Sequence, residues 1–561
     1  MSNHDVPVHL PTAMADSPVA GKTGENDRSP GGSGGLPGER GHFLTALSPF
    51  WHDRLIEAGM ILSMALYYIV GNNKLGTGEL FHVNFLVSLP FLLIFAALCW
   101  YRLPFAVALL PLALPYYGFP KIVFSHYDFS LTETALVVCL VVALLQAVLW
   151  RRRWTYWLSW QELRQRLGPL SIPMAVFGLA AAFSIVVAYD RRVALRDFRE
   201  EILEPLLYVL LALYCLRSRQ DVLRLLGALL ATGVVVALLG AIQYILFKGH
   251  AAGVARNLRV DAIYGSGNSI GLLFDYVFPL GLALIVVQWY RARDRLGAWW
   301  SRLLALALCL LMVFVLYESQ SGGAWAAIPI ALLFIVACSI RNRKVLLTGG
   351  IVAMVALIAV IALLHGPITR FLFERHVSAN GVSTLTKRIY LWESALAMIR
   401  DNPVTGYGLG NWLCHYSRNT LCDTPQLHHY WITTIPGTHA STGLHDEPYL
   451  SHPHNVFLHV WVSMGIFGLA AFVALLTLFF WLFTRIVRRL RLARDGGDPH
   501  LEWMTLGVGA GMLAALVQGM VDSAFLELDL AFCFWMLVAA LLLLRGLSQT
   551  PWRGRLLADG G

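Results

Sequence analysis

The chain has 561 residues, 57% of them hydrophobic and only 14% charged, with a mean hydropathy of +0.61. Ordinary soluble domains carry about a quarter charged residues, so this composition excludes a soluble protein, a disordered chain and a disulfide-stapled mini-protein. The formal charge of +9 predicts no nucleic-acid partner here, because in so apolar a chain Lys and Arg retained on the cytoplasmic side account for it.

Residues 1–50, with the stretch SPGGSGGLPGERG, read as a disordered cytoplasmic tail. The tail has no apolar h-region, so the first apolar run is expected to act as an uncleaved signal anchor. Runs long enough to cross a bilayer, at about 20 residues each, centre near 57–72, 84–100, 103–119, 131–150, 170–189, 202–217, 222–247, 268–290, 302–318, 324–340, 346–364, 455–484, 502–521 and 525–545. The third run carries Pro104, Pro111, Pro115 and Pro120, which predict a kink, a break or a re-entrant segment. The expected fold is therefore an all-α polytopic membrane protein with 12, and up to 14, transmembrane helices. Its parts are the tail 1–50, transmembrane helices with short loops over 51–364, a large loop over 365–454, C-terminal transmembrane helices over 455–545 and a cytoplasmic tail over 546–561.

Basic residues set the orientation. Arg151–Arg153, Arg217, Arg219, Arg224, Arg291, Arg293, Arg295, Arg341, Arg343, Lys344, the run from Arg485 to Arg494, Arg553 and Arg555 fall on one side. That side is expected to be the cytoplasm, with both termini. The 365–454 loop then faces out, and it is partly helical: TKRIYLWESALAMIRDNP spaces Ile389, Leu391, Trp392, Leu396 and Ile399 at helical intervals before the turn-rich GYGLGN.

The outer loops hold more Arg than the positive-inside rule allows: Arg191, Arg192, Arg196 and Arg199, then Arg256 and Arg259, then Arg370, Arg375, Arg388, Arg400 and Arg418. Guanidinium forks match phosphate oxygens, so the set points to an anionic ligand such as a diphosphate. Local acids (Asp190, Asp197, Glu200, Glu201, Glu204) offer the first cluster a plainer, purely structural pairing.

Histidines also gather in the long loop, at His376, His415, His428, His429, His439, His445, His452 and His454. The last two, in HPHN, sit where the loop re-enters the membrane, and a His there can act as general base near neutral pH. Zinc is the lesser reading, since neither HExxH nor a Cys/His finger spacing is present; His428 and His429 fit a solvated loop. Asp275, an acid inside a span, reads as a structural partner for an outer Arg. Six cysteines lie in apolar runs, and Cys414 and Cys422 share the outer loop, where a disulfide would tie it.

The segment HNVFLHVWVSMGIFG places His454, Asn455, Gly465 and Gly468 in a His–Asn, nine residues, GxxG pattern that resembles the bacterial O-antigen ligase family, within a superfamily that includes O-antigen polymerases and protein O-oligosaccharyltransferases. RVDAIYGSGNSIG, with Arg259 and Asn268, and RIYLWESALAMIRDNPVTGYGLGN, with Arg388 and Trp392, are similar to further segments of that superfamily. SQSGGAWAA matches another, except that Gly322 stands where Arg is common; Ser463 stands where Glu is frequent. The resemblance implies a glycosyltransferase in the bacterial inner membrane, working on the periplasmic face without metal, nucleotide or other cofactor. Its donor would be a polysaccharide on undecaprenyl diphosphate and its acceptor a sugar hydroxyl of lipid A-core, as in lipopolysaccharide biosynthesis. It implies His454 as the base, Arg259 and Arg388 with help from Arg191, Arg192 or Arg196 as the diphosphate site, and His452, Asn455, Asn268 and Trp392 as supporting residues. Ligase, polymerase and protein O-oligosaccharyltransferase stay open at this point, and a lipid-linked glycan transporter is the reading from another class, disfavoured by the absence of repeated halves.

Overall fold

In a computed structural model of the chain, the residues described are 49–75, 85–123, 127–149, 160–248, 259–290, 299–340, 344, 348, 384–417, 427–431, 451–492 and 498–549. Helices dominate. In chain order they are α1 (Pro49–Ile69), α2 (Leu89–Tyr101), α3 (Leu103–Leu109), α4 (Leu131–Leu149), α5 (Trp160–Leu167), α6 (Ser171–Val187), α7 (Arg191–Asp197), α8 (Glu204–Cys215), α9 (Arg219–Gln243), α10 (Gly267–Tyr290), α11 (Trp299–Ser319), α12 (Gly322–Ser339), α13 (Thr384–Asp401), α14 (Trp412–Tyr416), α15 (Val456–Leu492), α16 (Pro499–Gly519) and α17 (Leu528–Gln549). One short hairpin, β1 (Lys121–Val123) with β2 (Tyr127–Phe129), pairs antiparallel from Lys121 opposite Phe129 to Val123 opposite Tyr127.

Among the described residues, nine helical stretches are long and apolar enough to cross a membrane, and they coincide with nine of the expected runs. Two more runs, Leu86–Tyr101 and Leu103–Tyr116, form one unit bent by 118°. The bend falls at Arg102 (φ −141, ψ 64), just ahead of Pro104 in the first turn of α3; farther on, α3 gives way to a tight 3₁₀ stretch over Leu110–Tyr116 with Pro115 inside it, where the ring removes an N–H and crowds the preceding turn. The run near 202–217 appears in α8, which continues unbroken from α7 through a π-helical turn over Phe198–Leu203; Arg199, Glu200, Glu201 and Glu204 make the start of this stretch too charged to count among the nine. The run near 57–72 lies in α1; that near 346–364 lies, apart from Thr348, outside the described residues.

Local sequence starts these helices where expected. Ser130 and Glu133 form a reciprocal cap at α4, Ser218 and Asp221 do so at α9, and Asp498 accepts from His500 N–H ahead of Pro499 at α16. Each satisfies N–H groups that the first helical turn leaves unpaired. The helices pack most extensively where α10 meets α16, and two glycines four residues apart allow it. A Cβ on Gly507 would stand 2.9 Å from the Leu280 Cα, and one on Gly511 2.7 Å from the Tyr276 carbonyl oxygen. Without a hydrophobic driving force between helices in lipid, such close backbone approach is what dispersion requires. The outward surface is apolar, with Leu93, Leu179, Phe247 and Leu333 all exposed. In water such a surface would be a liability; against acyl chains it is solvated.

A second, smaller core surrounds the described part of the long loop. Leu391, Ala395, Met398 and Ile399 of α13 pack with Tyr407, Trp412, Tyr416 and Val462. The apolar residues of α13 in this core are thus 391, 395, 398 and 399, with Tyr390 and Ser394 also buried, while Ile389 and Leu396 are turned outward. Cys414 is buried and disulfide-bonded; Cys422 lies outside the described residues.

Candidate functional site

The loop and the bundle meet at a break in α15. Gly465 has φ +67 inside that helix, a left-handed conformation open to glycine at little cost. The break frees carbonyl groups of the preceding turn, and the loop supplies their donors: Tyr407 N–H to Val462 O at 2.7 Å and Gly408 N–H to Ser463 O at 3.0 Å. In return Ile466 N–H donates to Pro403 O (3.0 Å) and the Trp461 indole N–H to the same oxygen (2.9 Å). The approach is so close that a Cβ at Gly465 would stand 1.9 Å from Val404 O. Asn411 extends the clasp, accepting from Asp190 N–H at 2.7 Å and donating to Asp190 O at 3.1 Å. The first glycine of the GxxG motif therefore docks the long loop onto α15.

His454 sits directly before α15 with φ +49, strained for a residue with a side chain. Bonds on both sides hold it: its N–H donates to His452 Nδ1 (3.2 Å) and its carbonyl accepts from Trp392 Nε1 (3.2 Å). Asn455 caps α15, its Oδ1 accepting from Phe457 and Leu458 N–H, while its Nδ2 donates to Met520 O at 3.0 Å. The imidazole Nδ1 lies 2.6 Å from Oδ1 of Asp522, in the turn between α16 and α17. The other oxygen of that buried carboxylate faces Arg388 at 3.6 Å. One carboxylate thus joins the histidine to an arginine from the long loop.

Burial alone would raise the Asp522 carboxyl, but the His454 hydrogen bond and the charges of His454, His452 and Arg388 pull it down to about 2. It is an anion at neutral pH. For His454, burial and the neighbouring His452 outweigh the pull of Asp522, and the ring falls below its ordinary 6.5. A neutral ring with Nδ1–H on Asp522 leaves Nε2 with a lone pair, the state a general base requires. His452 is opposite in sense: burial would lower it, but its Nε2 lies 3.2 Å from Glu527 Oε1, and that carboxylate raises it.

Arg259 donates to the Gln320 carbonyl at 2.5 Å, and its proton affinity is lowered by burial and by the facing Arg388 guanidinium. Two guanidiniums close enough to repel favour an anion between them. The other arginines separate: Arg196 is committed to Asp197 at 2.8 Å, as the plainer pairing expected, whereas Arg191 and Arg192 are exposed on α7. Asn268 stands at the start of α10, its N–H on Ser266 Oγ at 3.3 Å, with no hydrogen bond to the histidine cluster among the described residues. Asp275 is buried with both carboxylate oxygens unpartnered, so among the described residues the expected pairing with an outer Arg does not form. His428 stacks on Tyr430, and His415 lies against Tyr407, pushed down to about 4 by burial and His429. His376, His439, His445, Arg370, Arg375 and Arg418 lie outside the described residues.

A cation could in principle bridge His452, His454 and Asp522, whose ligand atoms lie within 4.8 Å of one another. However, His454 Nδ1 is bonded to Asp522, and both nitrogens of His452 are engaged, Nδ1 by His454 N–H and Nε2 by Glu527. Hydrogen bonding accounts for the cluster as it stands.

Sequence reading missed Asp522, Glu527 and Ser523, the last of which lies 2.8 Å from His459 Nδ1. The one available signal was an acid pair flanking the α16–α17 turn, on the same expected side as HPHN.

Fold and site together define a multi-span helical membrane protein with a His–Asp–Arg centre at one end of its bundle. Residues 307–473 match the family model described as O-antigen ligase. A protein described as O-antigen ligase from Salmonella typhimurium strain LT2 is 25% identical over 311 residues, 54% of this chain and 67% of that protein. Both comparisons support the O-antigen ligase family for this chain, and with it a glycosyltransferase-type enzyme. The matched segment carries Arg388, Trp392, His454 and Gly465, whereas Arg259 and Asp522 lie outside it.

Proposed function

We propose that the chain is an O-antigen ligase, moving a polysaccharide from undecaprenyl diphosphate to a sugar hydroxyl of lipid A-core at the periplasmic face of the inner membrane. The observation that carries this reading is the Asp522 carboxylate, which holds His454 Nδ1 on one oxygen and faces Arg388 on the other. His454 Nε2 takes the proton of the acceptor hydroxyl as its oxygen attacks the anomeric carbon. The bond to the diphosphate breaks on the opposite face, and the configuration inverts. Arg388 and Arg259 bind the diphosphate and balance the charge that grows on the leaving oxygen. Arg191 and Arg192, exposed on α7, extend the basic surface that draws the donor in. The diphosphate bond already activates the sugar, so neither ATP nor a metal is required.

The test is transfer by the purified chain in detergent, with an undecaprenyl-diphosphate-linked glycan, rough lipopolysaccharide, a chelator and no ATP. Glycan on lipopolysaccharide, lost in His454→Ala, is the expected result. A glycan that only lengthens on its own lipid would replace ligase with polymerase; no transfer of either kind would overturn an enzyme reading.

A further inference from the structure

The end of the bundle away from His454 carries arginines of two kinds. Several are paired: Arg219 meets Asp498 at 3.5 Å, Arg224 meets Glu57 at 2.7 Å and Asp53 at 3.1 Å, and Arg491 donates to the Cys338 carbonyl. Arg485 and Arg489 of α15 and Arg545 of α17 are not. Among the described residues, none of these three has an ion pair with a carboxylate.

The three meet one another instead. Arg485 and Arg489 stand one turn apart on one face of α15. Theirs are the charges that act on the Arg545 guanidinium, and both repel it. That guanidinium is wedged against Gly168, at the junction of α5 and α6, where a Cβ would collide with it. Its buried Nη1 has no hydrogen-bond partner. Converging like charges and an unpaired buried donor are both unfavourable. Retention of basic residues on one side of a membrane explains why arginines stand here, but not why three converge without an acid. An anion held between them cancels the repulsion and accepts from the free N–H.

Depth in the bilayer selects the anion. Arg485 lies about 30 Å of helix beyond the break at Gly465, one hydrocarbon thickness away from it. Its guanidinium sits 3.9 Å from the ring centre of Trp481, which is 40% exposed, and exposed Trp rings settle at the level of the lipid headgroups. Arg485 and Arg489 are exposed and Arg545 is half-buried, so the cluster opens outward where phospholipid phosphates lie. Guanidinium forks match phosphate oxygens two at a time. We infer that Arg485, Arg489 and Arg545 form a site for the phosphate of an anionic phospholipid, which ties the ends of α15 and α17 to the junction of α5 and α6.

The experiment adds phosphatidylglycerol to the full chain in detergent and follows binding by native mass spectrometry and by the rise in thermal midpoint. Zwitterionic phosphatidylcholine and inorganic phosphate serve as comparison ligands. Arg485→Gln, Arg489→Gln and Arg545→Gln are each expected to weaken phosphatidylglycerol binding about five- to tenfold, the contribution of one arginine at an anionic surface, and to shrink the rise in midpoint. Arg488 is exposed on the same turn but does not act on Arg545, so Arg488→Gln is expected to leave both readouts unchanged. Equal weakening in Arg488→Gln would overturn the site in favour of diffuse surface charge. Unchanged binding in Arg485→Gln and Arg489→Gln would overturn it outright, and these two exposed positions decide the matter should Arg545→Gln not fold. A midpoint raised as far by inorganic phosphate or by phosphatidylcholine would overturn an anionic lipid as the occupant. Glycosyl transfer enters none of these readouts, so they hold whichever way the transfer test falls.

Discussion

His454 gains its proposed role from neighbours that are distant in sequence. Asp522 is 68 positions away and fixes the ring through Nδ1 at 2.6 Å, while Trp392, 62 positions away, holds its carbonyl. Because His454 is depressed below 6.5, the base is in its active form at neutral pH, and kcat falls as pH drops through that lowered value. Asp522 raises the ring, so Asp522→Asn is expected to shift this acidic limb to lower pH and to reduce the plateau by about 10²–10⁴-fold, the usual worth of a positioned base. His452 depresses it, so His452→Asn moves the limb upward. A pH–kcat profile of the three proteins checks both signs. An unmoved limb in both variants would exclude His454 as the titrating group. For the anion site, Arg388→Ala and Arg259→Ala should raise the donor KM about tenfold or more with acceptor KM unchanged. Arg196→Ala should do neither, since Arg196 is already held by Asp197.

At the scale of elements, the break in α15 joins the two cores. Gly465→Ala forces a left-handed backbone, worth roughly 1–2 kcal/mol, and drives a Cβ into Val404 O. Loop and helix cannot then keep the bonds at Val462 and Ser463. The expected outcome is a lower thermal midpoint together with loss of transfer. A variant with native stability and native activity would show that the docked loop is dispensable. The glycines of the motif were legible in the sequence as a signature, but not their reason, because the clash is with a backbone some 60 residues away. The helical face of α13 was read in part. Its buried positions are 390, 391, 394, 395, 398 and 399, whereas the sequence pattern also drew in Ile389 and Leu396, which α13 turns away from the small core.

At the scale of the molecule, orientation is open to direct measurement. In a cysteine-free background, a thiol placed at exposed Val404 should react with a membrane-impermeant maleimide in intact spheroplasts, and one at exposed Arg488 only after lysis. The reverse pattern would invert the topology and remove the periplasmic site.

The sequence by itself determined a helical protein with many membrane spans, because apolar runs of bilayer length are a local property. It also marked the break at the third run, since a proline acts on its own turn. It singled out His454, Arg259 and Arg388 through short motifs. Only tertiary structure decided which charges meet. Arg196 turned to Asp197, Arg388 to Asp522, and Asp275 to no cation within the described contacts. Electrostatic partnership depends on distances of a few ångströms between segments that chain order leaves far apart, and the packing of α10 on α16 and of the long loop on α15 sets those distances.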